Sequence, residues 1–340
     1  MLNDYLLSLG YNLSDINKIK RIYFFRNSKE ETIKKKISDT YTYMLKLGYS
    51  YEDIFSLTRF NPGIFGLNSE YIRERIFDLI TLGYSKDEAK KITIVNSKIF
   101  SLGISNIERK IVKMVRLGYN DRDVVMKIIK KNPTVLDYSI SAMKQKINDL
   151  MTLGYTHEDA IKITKNNPVI YGYSIETIKS RIEFMETLGY THEDIIRMTV
   201  KFPAIYGYSV ENMKKKIEDM IELGYDIETV IRMTKIVPVI FGLSIENIKE
   251  KKEFYDSINL SEILIIYPSI IMQSVDLSYA RYMFLKSIGE DINITNYLLI
   301  FLEQQRFKKK YGKDNKQLVS EYPYQKLKKD DNFSRKITII

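Results

Sequence analysis

A tract close to Leu-Gly-Tyr-[Ser/Thr]-x-Glu-Asp returns along this chain with a period of 35 residues. Its glycines stand at Gly10, Gly48, Gly83, Gly118, Gly154, Gly189 and Gly224, with a weaker echo at Gly289. Prolines keep step at Pro62, Pro133, Pro168, Pro203, Pro238 and, in a shortened unit, Pro268. Self-similarity at this spacing is the signature of a stacked-repeat architecture. It moves the functional question from pockets to surfaces, because stacked repeats build extended faces.

Residues 155–189 show how one unit works. Thr156 with Asp159 three positions on is a capping pair that opens a helix, and Ser50/Asp53, Ser85/Glu88, Asn120/Asp123 and Thr191/Asp194 repeat the device. That helix must end before Pro168, because the residue preceding proline is pushed out of the α region. A short Val-Ile-Tyr-Gly-Tyr connection follows, suited to a 3₁₀ turn, in which Gly172 marks positive φ or a close backbone approach, as do Gly66, Gly207 and Gly242. Ser174 and Glu176 cap a second helix whose Ile178, Ile182 and Met185 form an apolar stripe. Gly189 in the C′ position, followed by Tyr190, closes it in a Schellman pattern. The prediction is all-α: an α-solenoid of about 35-residue helix–turn–helix units. Eight units reach Gly289, a terminal helix covers about 294–306, and the array spans residues 1–305.

Length alone would suggest two domains for 340 residues, but a solenoid grows by adding units. The absence of cysteine removes disulfides, thiolate metal sites and cysteine nucleophiles. No run of 18 apolar residues spans a membrane, and the start carries no recognisable targeting pattern, so a cytoplasmic, monomeric protein is expected. The net charge is +10, and residues 306–340 hold 11 Lys/Arg against four acids as a basic C-terminal tail. His157 and His192 share a repeat position otherwise filled by Tyr51, Lys86, Asp121 and Ile227, which is no metal site. The tyrosines after each glycine read as hydrophobic clasps of the cap rather than a base-stacking platform. No catalytic, cofactor-binding or metal-binding motif stands out, and no enzyme is expected.

Basic residues fall into two columns. Three positions after the first apolar residue of each second helix stand Lys36, Arg75, Lys110, Lys146, Arg181, Lys216, Lys251 and Arg281. At the rim of the buried face they are either snorkelling side chains or phosphate contacts. On the first helices, six residues before the proline position, stand Lys91, Lys127, Lys162, Arg197 and Arg232, with Ser56 the exception. Stacked repeats would turn both columns into basic stripes, which suit a polyanion backbone better than a compact ligand.

Residues 167–209, "NPVIYGYSIETIKSRIEFMETLGYTHEDIIRMTVKFPAIYGYS", carry the proline before two apolar residues, the Ser-x-Glu cap, the basic position and the closing Leu-Gly-Tyr together. In these features the chain resembles the mitochondrial transcription termination factor (mTERF) family over about residues 40–306. The resemblance implies two α-helices and a 3₁₀ helix per unit, wound into a superhelix with a positively charged concave groove. It also implies binding of nucleic acid, duplex DNA before RNA, chiefly through the backbone, with a role in transcription regulation or termination. A protein-binding helical scaffold is the alternative, since the repeats without the tail carry little net charge.

Overall fold

A computed structural model describes residues 1–324 of the 340. Among these every regular element is an α- or 3₁₀-helix. The chain divides into two compact units, residues 1–173 and residues from 174 on.

The first unit holds paired helices Leu2–Ser8 and Leu13–Lys20, Glu30–Lys46 and Tyr51–Phe60, Ser69–Leu82 and Lys86–Val95, Ile104–Arg116 and Arg122–Lys131, and Ile140–Thr152 and His157–Asn166. Each pair meets at the Leu-Gly-Tyr turn, and a 3₁₀ helix such as Pro133–Asp137 leads into the next. Longer helices of successive repeats pack on one another, and so do the shorter ones, giving two layers with the 3₁₀ turns along one edge. The second unit repeats the plan with Ile175–Thr187, His192–Lys201, Val210–Glu222, Ile227–Ile236 and Ile245–Ser257. It then contracts, since the next short helix is Ile263–Ile266, before Val275–Ser287.

The sequence accounts for each boundary. Ser50, Ser85, Thr156 and Thr191 close full capping boxes with the acid three residues on. Every glycine of the Leu-Gly-Tyr series lies at positive φ, for example +97° at Gly189, where Tyr190 N–H reaches back to the Met185 carbonyl at 3.2 Å. The 3₁₀ glycines differ. Gly172 and Gly242 have ordinary φ, and a side chain on Gly242 would strike the Tyr208 ring, so close approach is what selects glycine there. Buried Ile107, Ile111 and Met114 and their equivalents Ile178, Ile182 and Met185 form the core face of the longer helices. The apolar pair two and three residues after each proline is buried too, as at Ile64 and Phe65 or Val135 and Leu136.

Two expectations are corrected. Asn120 does not cap its helix: it sits at φ 64°, and Asp121 accepts the Val124 N–H instead. This turn carries one residue more than its neighbours, Gly118 to Gly154 being 36 positions rather than 35, and Asn tolerates the left-handed conformation. The helix expected at 294–306 is a 3₁₀ turn, Tyr297–Leu299, followed by Gln304–Tyr311. The Asn293 side chain accepts from the Thr295 N–H, and that of Asn296 accepts from the Asn293 N–H and donates to Asp291 O, which competes with helix formation. Of the basic tail, residues up to 324 include Asn315–Glu321, which packs on Val275–Ser287. Lys326, Lys328, Lys329, Arg335 and Lys336 lie outside the described residues.

Candidate nucleic-acid interface

The first basic column turns inward. Its members in the seven later repeats precede the left-handed turn residue by eight positions, as Arg75 precedes Gly83 and Lys251 precedes Asn259 (φ 58°). None is exposed, and Lys146, Lys251 and Arg281 are buried. Most reach the end of the following 3₁₀ helix, where an extended residue leaves a carbonyl without an intrahelical partner. Arg75 donates to Leu102 O at 3.3 Å, Arg181 to Tyr208 O at 2.6 Å and Lys216 to Leu243 O at 2.5 Å. Lys110 donates to Leu136 O at 2.7 Å and to Tyr138 O, and Lys146 to Tyr173 O. Buried carbonyls must be satisfied, and this column satisfies them from one repeat to the next.

The phosphate contacts expected of this column are therefore not what the structure arranges. Burial pushes the Lys110 ammonium down to about 8, with Asp137 opposing, and lowers Lys216 and Lys251 likewise. Arg281, 1% exposed, donates to Ile300 O and Leu302 O at 2.9 and 2.5 Å, lies over the Phe307 ring, and is lowered to about 10 by burial. Lys251 bonds Asn247 instead, because the short repeat after it breaks the spacing. Lys36 is out of register: counting eight back from Gly48 gives Thr40, which is buried, and Lys36 lies one turn earlier on the long helix Glu30–Lys46.

The second column faces solvent at all five positions, Lys91, Lys127, Lys162, Arg197 and Arg232. Each follows an acid by four positions, from Asp87 to Glu228. Arg197 closes that pair with Glu193 at 3.6 Å and adds Asp194 at 2.8 Å, and Arg232 donates to Ile265 O at 2.7 Å. Lys91, Lys127 and Lys162 form no hydrogen bond or ion pair among the described residues, so three successive repeats of the first unit present a free ammonium at one register.

Two structural devices escaped sequence reasoning. The cap acids do more than complement helix ends: Asp15 meets Arg59 at 3.1 Å, Asp194 meets Lys235 at 2.7 Å, and Glu88 meets Lys130, each across one repeat. The clasp tyrosines continue into a hydroxyl ladder, Tyr11 to Thr58 and Tyr49 to Thr93, with all four groups buried. Where the ladder threonine is missing, Tyr84 turns to the Met126 carbonyl. Both signals lay in columns that become visible when successive units are aligned on their glycines.

Charge is unevenly shared. Residues 1–173 hold 28 Lys/Arg against 19 Asp/Glu, whereas 174–324 hold 20 against 22. No group of three His, Cys, Asp or Glu able to hold a metal occurs among the described residues. No described helix is long and apolar enough to cross a membrane. A family model described as mTERF matches residues 32–249. A search of curated proteins finds no match to the chain.

Proposed function

The chain belongs to the mTERF family, whose helical-repeat members bind nucleic acid, and from that premise we propose that it binds duplex DNA through phosphate contacts in a role in transcription regulation or termination. The observation that carries the reading is the row of free, exposed ammonium groups on Lys91, Lys127 and Lys162 within a unit that carries nine more basic than acidic residues. Phosphate contacts need no base-reading side chain, and long Lys stems can follow a backbone without fixed geometry. The role is binding rather than catalysis.

The test is fluorescence anisotropy of the full chain against duplex DNA, single-stranded DNA and RNA across a salt series. Tightest binding to duplex DNA, weakening steeply with salt, supports the reading. A preference for RNA reassigns the polymer. Residues 174–324, in which acids slightly outnumber bases, favour one second reading: a helical scaffold for a protein partner. Absence of binding to all three polymers at physiological salt would select it.

A further inference from the structure

We infer that, in addition to the outward row of Lys91, Lys127 and Lys162, the densest cluster of phosphate contacts lies on one helical hairpin, residues 104–131; this rests on the nucleic-acid reading above. The helix pairs joined by the Leu-Gly-Tyr turn are close to neutral: five Lys/Arg to five Asp/Glu in 30–60 and again in 69–95, four to three in 140–166, four to five in 175–201, and five to six in 210–236. Hairpin 104–131 holds eight to three. Its excess of five is more than half that of the whole first unit.

Placement turns this composition into a surface. Arg109, Lys113 and Arg116 stand at i, i+4 and i+7 and share one exposed face of Ile104–Arg116. That face covers about 10 Å of helix axis, a length over which a duplex presents several phosphates. Position 113 sets this hairpin apart from its two neighbours. Its equivalents in the flanking repeats are Asp78, which pairs with Arg75 at 3.1 Å, and Asp149, which lies 3.8 Å from Lys146, while Phe184, Asp219, Phe254 and Phe284 fill it further along. With Lys113 there instead, the carbonyl-binding Lys110 has no acid on its own helix to offset it one turn on.

The second helix of the hairpin adds a cleft. About 240 Å³ in volume, it lies between Gly83 and Tyr84 at the end of one repeat and Arg122, Lys127 and Lys130 of the next, with Asp123 the one acid in its lining. Lys130 is held by Glu88, whereas Arg122 and Lys127 are exposed and have no hydrogen-bond or ion-pair partner among the described residues. A similar cleft one repeat later is lined by His157 and Glu158, and another by Asp226, Glu228 and Arg232. Neither combines three bases. The extra turn residue at Asn120, which moves the cap to Asp121, sets Arg122 at the first position of its helix, beside the cleft.

The experiment compares two charge-matched quadruple variants of the full chain. One is K113Q/R116Q/R122Q/K127Q. The control is R21Q/R26Q/K29Q/K35Q, drawn from exposed residues of 18–36, which holds eight Lys/Arg to two Asp/Glu but straddles the connection between two helix pairs. Binding to duplex DNA is read as log affinity against log salt, where each lost phosphate contact flattens the slope by about 0.9. The hairpin variant should flatten the slope by about 3 and the control by less than about 1. Equal flattening by both would overturn the inference and leave the nucleic-acid reading standing. Failure of the unmodified chain to bind any nucleic acid would overturn both. Matching circular dichroism and melting curves for the two variants ensure that folding does not produce the difference.

Discussion

The Tyr49 hydroxyl meets the Thr93 hydroxyl at 2.7 Å although 44 residues of chain separate them. Thr93 in turn donates to the Lys90 carbonyl at 2.7 Å, so each rung ties the turn of one repeat to the backbone of the next. In a stacked array, where a unit touches little beyond its neighbours, such rungs contribute directly to the interface between units.

Removing a rung should cost what one buried hydrogen bond contributes. Tyr49→Phe is expected to destabilise by about 1 kcal/mol, read as a lower urea midpoint at unchanged slope. Tyr225 supplies the contrast. Its hydroxyl is buried with no partner among the described residues, because Leu264 stands four residues before Pro268, where Thr164, Thr199 and Thr234 precede their prolines. Burial pushes it up to about 12. Tyr225→Phe is expected to be neutral or stabilising, and a loss equal to that of Tyr49→Phe would contradict the ladder account.

The inward column should matter to stability and not to binding. Lys146→Met keeps the apolar stem and deletes the ammonium that satisfies Tyr173 O. Losing that bond should cost about 1–3 kcal/mol, while the salt slope for nucleic acid stays unchanged. A flattened slope in a stable variant would return Lys146 to the ligand surface.

Asp194 ties its own cap to Lys235 of the next repeat. Burial would raise its carboxyl, but Lys235, Thr191 and Arg197 outweigh it and hold the group well below the usual carboxylate range. A depressed carboxyl contributes stability above its unfolded pKa, near 4, and loses it as pH falls through the lower folded value. Asp194→Asn should therefore melt below the unmodified chain at pH 7, with the gap closing below pH 4. A gap independent of pH would contradict the ion-pair assignment.

Much of this architecture was legible in the sequence, because helix caps, left-handed glycines and prolines are local devices whose chemistry does not depend on neighbours. Gly189, Pro168 and the Thr156–Asp159 box each specify their element wherever the chain places them. What a basic residue does is a different matter. Arg181 and Lys162 differ little in sequence context, yet one is spent on the Tyr208 carbonyl 27 residues ahead and the other faces water. That outcome is decided by the stacking of the next repeat. Asn120 shows the same limit at a turn, where a single inserted residue moved the cap by one position.

The central claim is that the outward column, not the inward one, carries phosphate contacts. Its most direct test is the salt dependence of duplex DNA binding by K91Q/K127Q/K162Q in the full chain. The account predicts a slope flatter by about 2–3 with an unchanged melting temperature, since none of the three side chains has a partner to lose among the described residues. An unchanged slope, with affinity intact, would contradict it.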